Sequence, residues 1–267
     1  MAFSTILFSK KEHIATLTFN RPQKLNAGNE LMWGETVTAL EDAAADNDIR
    51  VLVVTGTGRA FCVGADLSSG PGGEQIVERH NPLALQAGLR SGPQQITRLL
   101  HNMEKPTIAM VNGDAVGAGF DFALACDIRF GSEKTRFMVA FTRLGLVPGA
   151  GGAWLMPRVM GMSKAAQYIF SADFISGVEA SKLGILNELF SHDSLEEETM
   201  AFARRLARNA PVSLRLSKML LRKAQETDLD TLLELTAACQ AICISTEDNR
   251  EGVAAFREKR EPVFKGK

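Results

Sequence analysis

Cysteine is scarce, and its spacing matches neither a disulfide framework nor a zinc site. The 267 residues include four cysteines, none in a C-x-x-C pair and none beside a histidine cluster, so neither kind of cross-link is indicated. Cys239 and Cys243 lie four apart on a predicted helix, where free cysteines usually pack in the core. The sequence therefore predicts no metal site and a reducing compartment.

Long apolar runs and a large net charge are also missing. No apolar run reaches the roughly 18 residues that a membrane span needs, and the N-terminus lacks the basic start and long apolar stretch of a secretory signal. The formal net charge is −1, which favours neither nucleic acid nor an anionic membrane as a partner. We therefore expect a cytoplasmic protein that binds neither nucleic acid nor membrane.

Several common catalytic motifs do not occur in the chain. It has no G-x-S-x-G, no H-E-x-x-H and no G-K-[ST], so the serine-hydrolase elbow, zinc proteolysis and NTP chemistry lack support. A dinucleotide fingerprint also fails, because Phe122 stands where Gly117-Ala-Gly119 would need a third glycine or alanine. The function must therefore rest on other features.

Strand and helix signals alternate through the first half of the chain. Short strands are predicted at the segments TILFS, IATLTF, VLVVTGTG and TIAMVNG. Apolar residues with helical spacing cover residues 30–45, and a second helix is predicted around Ile96 and Met103. Residues 68–92 are polar and interrupted by glycine and proline, which predicts a mobile loop.

Helices dominate the second half. Ser176 with Glu179, and Ser194 with Glu197, have the spacing of capping boxes at helix starts. Longer helices are predicted at residues 195–208, 212–225, 229–245 and 248–259. We therefore predict an α/β fold. Its division is predicted as a core at residues 1–195 and a helical region at residues 196–267.

Three glycine-bearing loops, FCVGADL, NGDAVGAGFD and GLVPGAGGAW, stand out. The first two follow predicted strands, and α/β proteins usually build their sites at such strand ends. A helix that begins near Gly117 leaves the N–H of Ala118 unpaired, and the N–H of Ala65 could converge on the same point. Two such donors can form an oxyanion hole, which stabilises charge on a carbonyl oxygen. The alternative is that these glycines only shape tight turns.

One acid stands near the predicted donors. Asp121 follows Ala118 by three residues, so the two share a helix face and the carboxylate could act beside the bound group. The alternative is that Asp121 only complements the positive end of its own helix. We expect Phe120, Phe122 and Phe141 to surround the carboxyl and raise its pKa.

The other polar candidates are predicted to be structural. Asp127 lies six positions after Asp121 and faces another direction, and Asp114 is expected at a turn or a helix cap. None of the four histidines has an acid or a nucleophile at a spacing that would indicate a catalytic pair. Surface or loop positions are therefore expected for His13, His80, His101 and His192.

Four segments together resemble the crotonase family, which comprises enoyl-CoA hydratases and isomerases. They read FCVGADL, KPTIAMVNGDAVGAGFDFALACDIRF, GLVPGAGGAWLMPRVMG and EGVAAFREKREPVFKG. The match runs in order from about Ile14 to the C-terminus. The resemblance implies a crotonase-type spiral of ββα units, followed by a C-terminal helical region that assembles a homotrimer or a dimer of trimers.

The resemblance also implies an acyl-CoA substrate, with CoA bound as part of the substrate and no separate cofactor. The family's two backbone donors match Ala65 and Ala118, in agreement with the spacing argument. The nucleotide end of CoA is expected along Lys24, Leu25, Val63, Asp66 and Leu67. Phe264 and Lys267 of a neighbouring subunit would close over it.

The acids of this chain depart from the family pattern. The first of two glutamates used by family hydratases matches Asp121, which is one methylene shorter. The second falls at Phe141, and the loop aspartate of some isomerases is replaced by Gly149. One acid suits a double-bond shift better than hydration, which uses two acid/base groups. We therefore expect an enoyl-CoA hydratase or isomerase acting through a thioester enolate. The alternative is an acyl-CoA-binding homologue with little or no hydratase activity.

Overall fold

The computed structural model describes residues 3–68 and 81–267, and the strands in these ranges form two sheets. The larger sheet contains β1 (Ile6–Lys11), β2 (Ile14–Phe19), β3 (Val51–Gly56), β5 (Thr107–Val111), β7 (Ile128–Ser132) and β10 (Glu188–Phe190). The smaller sheet contains β4 (Ala60–Cys62), β6 (Asp114–Val116), β8 (Arg136–Met138) and β9 (Ile175–Ser176).

The helices in the described ranges fall close to the segments with helical apolar spacing, and the helix predicted at residues 30–45 is confirmed. In chain order they are α1 (Glu30–Ala45), α2 (Pro82–Ser91), α3 (Pro93–Asn102), α4 (Ala118–Ala125), α5 (Gly152–Met160), α6 (Met162–Ser171), α7 (Gly177–Lys182), α8 (Leu195–Ala207), α9 (Pro211–Lys223), α10 (Leu229–Ser245) and α11 (Glu247–Glu258). A 3-10 turn covers Ala140–Leu144.

From β3 to β8, successive strands alternate between the two sheets. β3 is followed by β4, β5 by β6 and β7 by β8, with the first strand of each pair in the larger sheet. Helices follow each pair: α2 and α3, then α4, then α5 and α6. The pairs β2–β3, β3–β5 and β5–β7 are parallel. Each turn of the chain therefore adds the next strand of the larger sheet in the same direction. This arrangement confirms the predicted spiral of ββα units.

The central strands of the larger sheet, β3 and β5, are buried along their whole length, which explains their continuous apolar sequences. In β3, Leu52 and Val54 pack into the main core with α1, α3 and α4, whereas Val51 and Val53 pack against α8. Side chains of a strand alternate between faces, so one strand serves both cores. α8 thus packs directly on the larger sheet, and the division of the chain at residue 195 stays a prediction.

The loop predicted at residues 68–92 is wrong over its second half, which forms α2. The side chain of Asn81 accepts a hydrogen bond from the N–H of Leu83 (3.0 Å), and Pro82 fits the first helical position. Every residue of α2 is exposed, so the helix has no core-facing apolar stripe for a sequence pattern to reveal. The remainder of that prediction, at residues 69–80, lies outside the described ranges.

Two further local predictions are wrong. Asp114 lies in β6 rather than at a turn or a cap, and its carboxylate accepts from Arg136 at 2.8 Å. Ser194 does not cap α8 with its side chain; its hydroxyl oxygen lies 2.7 Å from that of Ser191 instead. The capping hydrogen bond of Ser176 at the start of α7 is confirmed.

The histidine predictions have mixed outcomes. His13 lies at the turn between β1 and β2, and His192 follows β10, as expected for surface or loop positions. His101 instead lies in the last turn of α3 and is half-buried, with its ring centroid 5.2 Å from that of Trp154. His80 lies outside the described residues. In residues 3–68 and 81–267, no helix has the length and apolarity needed to cross a membrane.

Candidate active site

The N-terminus of α4 is held tightly against the end of β4. Gly117 precedes the helix with φ of +55°, a backbone conformation that favours glycine. Gly119 allows the close approach, because a Cβ at this position would collide with the carbonyl group of Cys62. Ala118 is the first helical residue, and its N–H has no hydrogen-bond partner within the described parts of the chain. A backbone donor is therefore available at this helix start.

A second backbone donor lies beside it, at Ala65. Gly28 forms a parallel bridge with Ala65, in which the Gly28 N–H donates to Gly64 O (2.7 Å) and the Asp66 N–H donates to Gly28 O (2.8 Å). In this pattern the N–H of the central residue points away from its partner strand. Among the described residues, the Ala65 N–H has no acceptor.

Gly64 brings the two donors into one neighbourhood. It adopts φ of +89°, and a Cβ placed on it would lie 3.5 Å from the Ala118 nitrogen and 3.1 Å from Val116 O. The turn that carries Ala65 therefore packs directly on the start of α4. The structure thus brings together the two residues whose N–H groups were predicted as oxyanion-hole donors.

Asp121 lies one turn into α4 and is almost completely enclosed, with 1% of its surface exposed. Neither carboxylate oxygen has a hydrogen-bond partner among the residues that the structure describes. The carboxyl faces the start of α5, where a Cβ on Gly152 would collide with Oδ1. An acid buried without a partner is costly to a fold, which singles it out as a functional candidate.

Burial raises the pKa of Asp121 to about 7, because an enclosed carboxylate loses the hydration that stabilises its charge. The N–H groups of Gly152 and Ala150 face the carboxyl and oppose this rise in pKa, although neither closes a hydrogen bond of full geometry. The predicted direction of the pKa shift is confirmed. A carboxyl with a pKa near 7 can both accept and release a proton at neutral pH.

The predicted cause of that shift is wrong for two of the three phenylalanines. The ring of Phe120 packs on Phe137, with 4.8 Å between centroids, and the ring of Phe122 packs on Trp33, with 5.6 Å between centroids. Neighbouring helical residues point about 100° apart, so Phe120 and Phe122 leave the face that Asp121 occupies. The glycine-rich start of α5 faces the Asp121 carboxyl instead.

The two positions where the resemblance implies a second acid are Phe141 and Gly149. The ring of Phe141 approaches the α4 start, since its Cζ would lie 3.7 Å from a Cβ on Gly117. Gly149 lies in the loop before α5, and a Cβ there would lie 3.5 Å from Leu89 of α2. An apolar ring and a glycine thus occupy the two positions where the resemblance implies a second acid, and neither supplies one.

The predicted CoA-binding residues of the core come from two segments that hydrogen bonds join. Arg21 forms an ion pair with Asp66 (2.9 Å), and Lys24 Nζ donates to Ser68 Oγ (3.1 Å). Leu25 has φ of +53° in the turn after Lys24. The structure therefore places Lys24 and Leu25 beside the segment of Val63, Asp66 and Leu67.

Phe264 and Lys267 lie elsewhere in the same chain. The Phe264 carbonyl accepts from Arg50 (2.9 Å), and the Lys267 carbonyl accepts from the N–H of Asp248 in α11 (3.2 Å). These contacts within the described residues hold the C-terminal segment against α11 and against Arg50, which directly precedes β3. Their expected role at the CoA site of a neighbouring subunit stays a prediction.

Sequence reasoning missed the residues that surround the carboxyl of Asp121. Ala150 and Gly152 lie about thirty positions later in the chain, and their loop is held by Gln94 (2.9 Å to Gly149 O). The run of glycines in GLVPGAGGAW signals a close backbone approach, but it does not identify what approaches. No group of three or more potential metal ligands occurs within residues 3–68 and 81–267.

Comparison with known proteins gives extended matches. A family model described as "Enoyl-CoA hydratase/isomerase" matches residues 9–267. The chain is 36% identical over 264 residues to a 2,3-dehydroadipyl-CoA hydratase of Escherichia coli (strain K12), covering 99% of this chain and 100% of that protein. It is 35% identical over 271 residues to a 1,2-epoxyphenylacetyl-CoA isomerase of the same organism, covering 98% of each. Among solved structures, an enoyl-CoA hydratase from Bacillus anthracis has a TM-score of 0.91 at 29% identity, covering 99% of this chain and 100% of that chain.

Proposed function

The chain belongs to the enoyl-CoA hydratase/isomerase family, and we propose that it shifts the double bond of an enoyl-CoA through a thioester enolate. Its relatives are named hydratases and isomerases, and it is an enzyme of that type. In this proposal the N–H groups of Ala65 and Ala118 bind the thioester oxygen, and Asp121 carries the proton.

One observation carries the proposal: a single buried acid, without a partner in the described residues, stands one helical turn from an unpaired N–H. Asp121 has a pKa of about 7, so near neutral pH it can take a proton and later return it. Ala118 supplies a donor whose hydrogen bond strengthens as negative charge develops on the bound oxygen. The two groups together match the needs of an enolate intermediate.

The proton balance of the proposed step needs only one acid. Asp121 takes the proton from Cα of a 3-enoyl-CoA, and the electron pair moves onto the thioester oxygen between the two N–H donors. The extended enolate then takes the same proton at Cγ from Asp121, and the double bond moves from between Cβ and Cγ to between Cα and Cβ. No water molecule and no outside reductant enters the reaction.

Hydration of a 2-enoyl-CoA is the second candidate. The names of several relatives favour it, among them the crotonyl-CoA hydratase of Syntrophomonas wolfei at 34% identity. Hydration requires the activation of water and the delivery of a proton to Cα, which two acid/base groups do readily. Phe141 and Gly149 supply neither, so Asp121 would have to serve both steps. For this reason the isomerisation is the better match to the site.

The proposed CoA site combines parts of two subunits. Lys24, Leu25, Val63, Asp66 and Leu67 would line the nucleotide end of CoA, and no further cofactor is proposed. Phe264 and Lys267 would come from a neighbouring copy in a homotrimer or dimer of trimers. Apolar residues that are more than half exposed on α10 support such an assembly. They are Leu229, Leu233, Ile242 and Ile244.

A screen of short, long and aromatic 2-enoyl- and 3-enoyl-CoAs in heavy water tests the proposal. Mass spectrometry and chromatography of the products separate the outcomes. Isomerisation gives a product with no added water and at most exchanged protons, whereas hydration adds one heavy-water molecule. If only the hydration product forms, the proposed reaction is wrong. If the protein retains enoyl-CoAs without changing them, it is the binding homologue and not an enzyme of either kind.

A further inference from the structure

The loop before α5 is fastened to α3 by two side chains. Gln94 Nε2 donates to Gly149 O (2.9 Å), and Thr97 Oγ1 donates to Ala150 O (2.6 Å). Both side chains lie in the first two turns of α3 and are half-buried. Two successive peptide groups of the loop therefore have their carbonyls fixed on the same helix.

Fixing a carbonyl also fixes the direction of the next N–H. In a trans peptide the C=O and the following N–H point in opposite directions. Because Gly149 O points at Gln94, the Ala150 N–H points away from α3, and it faces the carboxyl of Asp121. We propose that Gln94 is a positioning residue, which aims the Ala150 N–H at Asp121 by holding the Gly149 carbonyl.

The other N–H at Asp121 is held by different means. Gly151 O accepts from the N–H groups of Trp154 and Leu155 (3.0 Å each) in the first turn of α5. The Gly152 N–H therefore points backwards out of the helix, towards Asp121. Gln94 thus acts on one of the two N–H groups, and α5 itself acts on the other.

Thr97 provides a matched control within the same loop. Its hydroxyl fixes the Ala150 carbonyl and hence the Gly151 N–H, which is not one of the two N–H groups that act on Asp121. Loss of either side-chain donor leaves one loop carbonyl without its partner. Only loss of the Gln94 donor releases an N–H that faces the acid.

Ionisable groups on the neighbouring elements do not obscure this effect. Among the residues that the structure describes, burial and the two N–H groups act on the pKa of Asp121, and no charged side chain there contributes. α4 packs on α3, α5, β4 and β6. The ionisable side chains of these four elements are Arg98, His101, Arg158, Cys62 and Asp114.

The proposal rests on the proposed function, because it concerns the same acid, but it also has a readout that needs no turnover. Infrared titration of the free protein follows the protonated-carboxyl band, which the Asp121→Asn variant assigns to Asp121. Gln94→Met keeps the length of the side chain and removes its donor. We expect the midpoint of the titration to rise by about one pH unit, the usual effect of one N–H on a carboxylate. Thr97→Val should shift the midpoint much less.

Turnover gives the second readout. If Asp121 must be ionised to take a proton, Gln94→Met should lower the rate about tenfold at pH 6 and leave it near the parent value at pH 9. A purely structural role would lower the rate equally at both pH values. Gln94→Ala serves if the methionine variant does not fold. The proposal is overturned if the Gln94 and Thr97 variants have the same titration midpoint, whether or not it differs from that of the parent. A parent protein without turnover would defeat the proposed function alone, since the infrared midpoint still decides the role of Gln94.

Discussion

Two aspartates, one inside α4 and one just after its end, have sharply different surroundings. Asp127 follows the helix and accepts hydrogen bonds from the N–H (2.7 Å) and hydroxyl (2.9 Å) of Thr107. Lys218 Nζ donates to the same carboxylate, and Arg222 lies 3.7 Å from it. Asp121, inside the helix, has no cationic or hydroxyl partner in the described part of the chain, and the two N–H groups that face its carboxyl close no hydrogen bond of full geometry. One carboxylate ties the core to α9, and the other remains unpaired.

The comparison shows how position separates structural acids from candidates for chemistry. A paired carboxylate contributes to the stability of the fold, because removing it leaves its buried partner without a counter-charge. An unpaired one weakens the fold, so it persists where an activity requires it. The carboxyl of Asp121 also faces Gly152 of α5, a neighbour that a role at the start of its own helix does not require. The suggestion that it only complements its own helix dipole is therefore weakened.

The largest expected effect concerns the donor one turn from Asp121. Ala118→Pro removes the N–H at the first helical position, where proline is tolerated. Loss of an oxyanion-hole donor typically lowers the rate by about 10²–10³. Ala118→Gly keeps the N–H and is the control, with a rate near that of the parent. Equal enoyl-CoA turnover by folded Ala118→Pro would show that the Ala118 N–H is not an oxyanion-hole donor.

The next effect is on stability and concerns Asp127. Asp127→Asn leaves Lys218 buried without its ion-pair partner, which should lower the free energy of unfolding by about 3 kcal/mol. Turnover per folded molecule should remain at the parent level. Urea denaturation and a rate assay on the same preparation measure both quantities. A stable variant with reduced turnover would reverse the roles that the comparison assigns to the two aspartates.

The smallest expected effect restores an acid to the other side of the site. Phe141→Glu places a carboxyl near Gly117. The Phe141 ring now lies there, with its Cζ 3.7 Å from the point that a Cβ on Gly117 would occupy. A second acid/base group favours hydration, so the ratio of hydrated to isomerised product should rise about tenfold. Phe141→Gln has a similar shape without the charge and is the control. An equal product ratio in both variants would mean that the missing acid does not decide the reaction.

Much of the fold could be predicted from the sequence because burial creates a pattern. β3 and α1 have apolar residues at the spacing of their core-facing sides, and both were predicted. α2 was not, because all of its residues are exposed and no apolar stripe marks it. Its Asn81-Pro82 start was the available signal.

The site was predictable only where its geometry is local. Ala118 and Asp121 share one helix, so their spacing fixes their relation. The surroundings of the carboxyl depend on how α5 docks, which no local pattern encodes, and Phe120 and Phe122 were assigned to it wrongly. Residues of a neighbouring subunit, such as Phe264 and Lys267, remain predictions for the same reason.

The central claim is that Asp121 is left unpaired because it carries the proton, and Asp121→Asn tests it most directly. Turnover per folded molecule should fall by about 10² or more, the usual contribution of a positioned base. The pKa of Asp121 is raised to about 7 in the folded state, so the native protein binds more protons than the unfolded chain between about pH 4 and pH 7.

Parent stability should therefore decrease as pH rises through that window, and the full cost is present above pH 7. Asp121→Asn removes this cost, so the variant should gain a few kcal/mol relative to the parent between pH 4 and pH 8, at about 1.4 kcal/mol for each pKa unit. Turnover and the free energy of unfolding, measured on one preparation, decide the matter. The account predicts a large loss of turnover together with this pH-dependent gain in stability; unchanged turnover with a lower melting temperature at every pH would contradict it.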